Sequence, residues 1–272
     1  MMLQGNATDT QITHLQRLWL YILCGLILIY LVFPIFIVVP LSFSDSRFMR
    51  FPPKDWSLRW YINFLTSPEW RAAIWVSLRA AIYTTLLATP LGVAAAWGLA
   101  RSRLPAARAL VLAVISPLIV PVIITAIGLF YLYARLNLVH TMTGIVLAHT
   151  CLAIPFVFVT VSSALSHFDI GYERAARSLG ASQLRAFMTV TLPQISPAVM
   201  SGALFAFFTS LDEVVISSII SGGENTTLTK KMFSGLRDEL DPTIAAVSSF
   251  LIGISLVILL LAVLMSKGRN DE

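Results

Sequence analysis

Charge is scarce in this chain. Only 12% of its 272 residues are Asp, Glu, Lys or Arg, whereas 57% are hydrophobic. A soluble domain of this size carries about 25% charged residues. A bilayer solvent explains the deficit; a large soluble core does not. Cysteine is nearly absent as well. Cys24 and Cys151 both lie inside apolar runs, and their spacing suggests neither a metal site nor a disulfide framework. The expectation is two buried small residues. No Gly-rich loop ends in Gly-Lys-Ser/Thr, so the chain by itself is not an ATPase of that type. A paired zinc-ligand motif and a nucleophile elbow are also missing, which argues against a membrane-embedded enzyme. No basic cluster is interleaved with exposed aromatics, and nucleic acid is not an expected partner. The formal net charge of +5 is read through its arginines, which flank apolar runs as topology signals. The N-terminus does not read as a secretory signal, because its apolar run is too long and no small-residue cleavage site follows.

Long apolar runs are what the chain has instead. Six of them, at 18–41, 73–99, 109–133, 142–166, 198–220 and 244–266, reach the length of about 20 residues that a membrane-crossing helix needs. Helices are the choice because a lipid-exposed backbone must satisfy its own hydrogen bonds. None of the runs alternates as a strand would. The expected fold is therefore an all-α membrane protein of six transmembrane helices, one membrane domain at 18–266 between polar tails at 1–17 and 267–272. There is no internal repeat and no low-complexity tract. In the first loop, Trp56-Ser-Leu-Arg-Trp-Tyr61 reads as a short amphipathic helix along the interface.

Orientation follows from the arginines. The 2–3 loop holds Arg101, Arg103 and Arg108 with no acid, and the 4–5 loop holds Arg174, Arg177 and Arg185. The 5–6 loop sets Lys230, Lys231 and Arg237 against Glu224, Asp238, Glu239 and Asp241. Positive loops stay inside, so loops 2–3, 4–5 and both termini are assigned to the cytoplasm. The basic excess of loop 1–2 points the other way and is outweighed by the acid-free loop 2–3. Of the prolines near or within the runs, Pro117 and Pro121 either shape a gate or cavity or are ordinary tolerated kinks. Gly92, Ala96 and Gly98 permit close helix approach.

The most informative segment is the 4–5 loop, about residues 167–193. It is polar and helix-forming, and longer than most helix connections. Residues 170–180 read as a short helix ending at Gly180, the favoured residue just past a helix C-terminus. Ser182 can cap a second short helix. Leu184, Phe187 and Val190 form an apolar stripe that Pro193 terminates. Such a knob either serves a soluble partner's groove or packs only on its own membrane domain.

Residues Ala175, Ala176, Gly180, Val190, Leu192 and Pro193 fall on the spacing Glu-Ala-Ala, three residues, Gly, nine residues, Ile-x-Leu-Pro. That pattern resembles the cytoplasmic coupling loop of permease subunits in ATP-binding-cassette importers. Arg174 stands where the family has its Glu, and Glu173 stands one place earlier. Ser210-Leu-Asp-Glu213, Met232-Phe-Ser-Gly-Leu-Arg237 and Asp241-Pro-Thr-Ile-Ala-Ala246 are similar to the spermidine/putrescine branch, with Thr229 where that branch has Pro. The resemblance implies a type I importer permease fold in a bacterial inner membrane. It implies a homologous second permease, a periplasmic substrate-binding protein and two cytoplasmic ATP-binding subunits as partners. ATP would be used by those subunits, with no cofactor bound by this chain. Glu173, Arg174, Ala175, Ala176, Gly180, Leu184, Phe187, Val190 and Pro193 are the implied coupling residues.

Asp212 and Glu213 lie within the fifth run, where acids are costly and face a cavity or a partner. Adjacent helical positions diverge by about 100°, so the two are expected to face different ways. With Phe208 four residues earlier, the pair is a candidate lining for a cation pathway; the alternatives are a structural ion pair with Arg79 and exposure at the outer edge. His149 reads as a helix-packing hydrogen bonder, and neither it nor His167 as a metal ligand. The functional expectation is uptake of a small organic cation, putrescine or spermidine. The alternatives are the same machinery for an iron–anion complex or an opine, and an ion-coupled secondary transporter.

Overall fold

The computed structural model describes residues 17–268 apart from 49, 103, 104 and 240. The tail to residue 16, Arg103 and residues 269–272 lie outside the described residues. All regular structure among the described residues is helical. The chain divides into two compact units, one made of its two ends and the other of Ser67–Asp238.

The first unit holds α1 (Leu18–Ser42), α2 (Arg59–Thr66) and α12 (Thr243–Gly268). Helix α1 carries no charged residue and is exposed from Leu18 to Phe36 apart from Gly25 and Ile35, becoming half-buried towards Ser42. A helix that is apolar on every side and exposed over most of its turns fits lipid as its solvent. It packs against α12, which runs for 26 residues. Helix α2 turns Trp60 and Phe64 inward. Phe64 meets Phe250 of α12 edge-on at 5.6 Å, and Asn63 Nδ2 donates to Thr243 Oγ1 at 2.9 Å. The helix begins at Arg59 rather than at Trp56, because Trp56 pairs with Ser44 in an isolated antiparallel bridge.

The second unit is built around three long helices, α3 (Pro68–Arg101), α6 (Met142–His167) and α9 (Leu192–Asp212). Their core is rich in small residues, among them Ala88, Ala96, Ala153, Val157, Val161 and Ala206, beside the larger Phe158, Leu165, Phe187 and Ile195. Val157 of α6 sits between two glycines. A Cβ on Gly92 would lie 2.6 Å from its Cβ, and one on Gly202 would lie 3.1 Å from its Cα. Apolar side chains gain little from leaving lipid, so close backbone approach supplies the packing energy. Gly98, also read as an approach residue, faces open space.

Two of the expected spans are broken. The third run forms α4 (Ala107–Ile119) and α5 (Val122–Leu136), bent by 101°. Pro121 causes the break: it lacks an N–H and forces Val120 out of the helical region, to φ −73° and ψ 130°. The fifth run starts earlier than residue 198. Helix α8 (Gln183–Ala186) continues through a π-helical turn at Phe187–Thr191 into α9, then breaks at Glu213 before α10 (Val215–Ile220). Pro193 thus does not end a helix but lies inside the continuous helical run Gln183–Asp212. It lies in the first turn of α9, where the π turn has already shifted the hydrogen-bond register and an N–H is dispensable. Cys24 and Cys151 are both exposed on helix surfaces, against the expectation of burial. In a membrane helix the outward face is apolar too, so an apolar setting in sequence does not indicate an interior position.

Candidate functional site

The 4–5 loop folds as two short helices joined at a glycine. Helix α7 (Ile170–Ser178) is capped by Asp169, whose side chain accepts from Gly171 N. Helix α8 is capped by Ser182, which accepts from Arg185 N at 3.3 Å. Between them Gly180 takes φ +93°, a conformation that costs other residues backbone strain. Its N–H bonds to Arg177 O, and Ala181 N bonds to Ala176 O. These two bonds close the end of α7.

The loop has an inner and an outer face. Glu173 is buried, 3% exposed, and its Oε2 accepts from Arg101 Nη2 at 2.6 Å and from Thr191 Oγ1 at 3.1 Å. Phe187, in the π turn, is buried against the Trp97 ring of α3 at 4.5 Å between centroids. The outer face presents Tyr172, Leu179, Leu184 and Met188, between 52% and 90% exposed. Arg174 and Ala175 are exposed, Ala176 and Val190 half-buried, and Pro193 exposed. The stripe of Leu184, Phe187 and Val190 therefore does not act as one face: Phe187 turns inward and Leu184 outward.

Glu173 and Arg174 differ by one residue, and one residue rotates a helical side chain by about 100°. That rotation puts Glu173 against the protein's interior and Arg174 outside. Arg101, read from sequence only as a topology charge, is the partner that holds Glu173. The pair joins positions 72 residues apart, and no local pattern announces it. Its charges also complement the helix ends, with Glu173 in the first turn of α7 and Arg101 in the last turn of α3. Removing one member of such a buried pair costs about 3–5 kcal/mol, because the other charge is left uncompensated.

The acidic pair at the end of α9 also splits. Asp212 is exposed, as is Phe208 one turn before it. Phe205, Leu204 and Met200 continue that face along the helix. Glu213 is buried, 9% exposed, and its carboxylate accepts from Val215 N, Ile216 N and Ser217 N at 3.0, 3.1 and 2.9 Å. It satisfies the first turn of α10, whose N–H groups have no partner inside the helix. Arg79 does not pair with it; that guanidinium lies exposed and donates to Trp75 O on its own helix. Thr229, at the start of α11 (Leu228–Ser234), donates to Glu213 O at 2.8 Å and so accepts the role of tying down the broken helix end. The adjacent Lys230 donates to Ser221 O, and burial holds its amine below the ordinary lysine range.

His149 is buried between two hydroxyls, with Nδ1 2.8 Å from Ser210 Oγ and Nε2 3.1 Å from Ser217 Oγ. Ser210 in turn donates to Thr84 Oγ1 at 3.4 Å. This chain of polar groups links α3, α6, α9 and α10 through the centre of the unit. Sequence marked His149 alone; its hydroxyl partners look like ordinary small residues of apolar helices.

A family model for the binding-protein-dependent transport system inner membrane component matches residues 88–270. The chain is 34% identical over 244 residues to the putrescine transport system permease protein PotI of Escherichia coli, covering 86% of each chain. It is 32% identical over 241 residues to the spermidine/putrescine transport system permease protein PotC of Haemophilus influenzae, covering 89% of this chain and 93% of that one. Among solved structures, a bacterial ABC transporter that imports the acidic polysaccharide alginate superposes with a TM-score of 0.71 at 15% identity, covering 97% of this chain and 99% of that one. Identity that low speaks for the fold alone, which is that of an ABC importer permease.

Proposed function

We propose that this chain, which belongs to the family of binding-protein-dependent transport system inner membrane components, is the permease subunit through which an ABC importer takes up a polyamine, putrescine or spermidine. The observation that carries the reading is the Gly180 knob. Tyr172, Leu179, Leu184 and Met188 stand exposed there in a loop that also holds three arginines. Apolar side chains of that size at a polar loop fit a soluble partner's groove, and the partner is an ATP-binding subunit. That subunit hydrolyses ATP, and this chain converts its motion into alternating access. A second, homologous permease covers the exposed face of α9, and a binding protein delivers substrate from outside. Both termini and the knob lie in the cytoplasm.

Likeness to the two polyamine permeases supports the substrate class. The chemistry of α9 supports it too: Asp212 supplies negative charge for an ammonium, and Phe205 and Phe208 supply ring faces for ammonium and methylene groups. Labelled putrescine uptake in membrane vesicles tests the reading. Unlabelled putrescine and spermidine should compete, unrelated neutral solutes should not, and uptake should require the ATP-binding subunits. Uptake that persists without them would make the chain a secondary transporter.

A further inference from the structure

We propose that Glu173 and Arg101 form an internal strut of the coupling loop, positioning residues that carry displacement of the knob to the end of α3 and the start of α9. The proposal rests on the permease reading and adds a route by which movement enters the membrane helices. Three observations converge. The carboxylate of Glu173 is buried and faces away from the exposed apolar patch, so a docked subunit would not touch it. One of its oxygens is shared by Arg101 of α3 and Thr191 of the π turn, at 2.6 and 3.1 Å. The same two elements meet a second time where Phe187 packs on Trp97, one helical turn before Arg101.

The ion pair ties α7 to the end of α3, and the ring contact ties the π turn to the same helix. Loops usually yield locally when pushed, because few contacts cross them. Here a push on α7 meets a charged joint that is expensive to open. The π turn gives the other end of the joint its compliance. Its hydrogen-bond register is already shifted at Phe187–Thr191, the kind of irregularity that recurs at functional positions in helices. Arg101 Nε is buried with no hydrogen-bond partner among the described residues, and Glu173 is the carboxylate that compensates the guanidinium there.

The test uses the assembled transporter with Glu173→Gln, Arg101→Gln and the exchanged pair Arg101→Glu/Glu173→Arg. Three quantities are read: recovery of the ATP-binding subunit with the permease, ATP hydrolysed per substrate taken up, and trypsin cleavage at Arg174 and Arg177. Each single variant should keep the ATP-binding subunit, raise the ATP hydrolysed per substrate about tenfold, and be cleaved faster in the loop. The exchanged pair should restore both ratio and protection at least partly. Single variants with wild-type stoichiometry and wild-type protease protection would overturn the strut. So would loss of the ATP-binding subunit in Glu173→Gln alone, which would make Glu173 a docking contact. Failure of the unaltered chain to hold any ATP-binding subunit would instead overturn the permease reading; the strut would still stand or fall on protease protection.

Discussion

Asp212 and Glu213 share a charge and almost nothing else. Glu213 uses both carboxylate oxygens on the N–H groups of α10. In Glu213→Gln one of those oxygens becomes an amide NH2, a donor set against a donor. A loss of about 1–3 kcal/mol follows, visible as a lower melting temperature of the purified protein and a lower membrane yield. Asp212→Asn alters an exposed side chain, so yield and melting temperature should hold. If Asp212 lines the proposed cation path, the effect falls on transport. Attraction between a carboxylate and an ammonium at ~4 Å is about 4 kcal/mol at an effective dielectric of 20, before desolvation is subtracted. A net loss of ~1.4 kcal/mol at the barrier slows uptake about tenfold, and vesicle uptake of putrescine measures it. Unchanged uptake in Asp212→Asn would remove this carboxylate from the cation path.

Among the elements, the joint between α7 and α8 is the most exacting. Gly180 has nothing within 4 Å of where a Cβ would lie, so the demand there is backbone conformation and not space. Gly180→Val should cost about 1–3 kcal/mol of local strain and displace one short helix from the other. Gly180→Asn, with a side chain that tolerates positive φ, should cost less. Recovery of the ATP-binding subunit with each variant is the measurement, and the ranking expected is Gly, then Asn, then Val. Equal recovery of all three would mean that the docking surface does not depend on the turn. Only half of this element was legible in the sequence. The caps and the glycine are local signals and follow from residue type. Which of Leu184, Phe187 and Val190 turns inward depends on Trp97, a residue far away in the chain, and on a π turn that offsets the helical spacing the stripe assumed. Pro193 misled for a related reason: a proline marks the absence of an N–H, which a helix tolerates just past a π turn as well as at its end.

For the whole molecule the open quantity is orientation. An impermeant thiol reagent should reach a cysteine at Glu224 from outside, and one at Ser178 only after permeabilisation. Glu224 is the better outer probe than its neighbour Asn225, whose side chain is half-buried and bonded to His140 O. Cys24 and Cys151 must first be replaced, since both are exposed on helix surfaces. The reverse labelling pattern would put the Gly180 knob outside and remove it as a coupling surface.

By itself the sequence determined the solvent, the class of fold and the family. Scarce charge and runs of more than twenty apolar residues leave helices in lipid as the solution, and the spaced motif around Gly180 carries the resemblance. Tertiary structure decided where helices break and which way each polar residue faces. Lipid and protein interior are both apolar, so hydropathy cannot separate the exposed α1 from the buried centre of α6, nor predict that Cys151 would face out. Pro121 is visible in the sequence, but a 101° bend needs neighbouring helices to accept it. Glu173 and Glu213 read as candidates for contact with a partner or a substrate. Both are buried because Arg101 and the N-terminus of α10 compensate their charge, and those partners meet them only once the chain has folded.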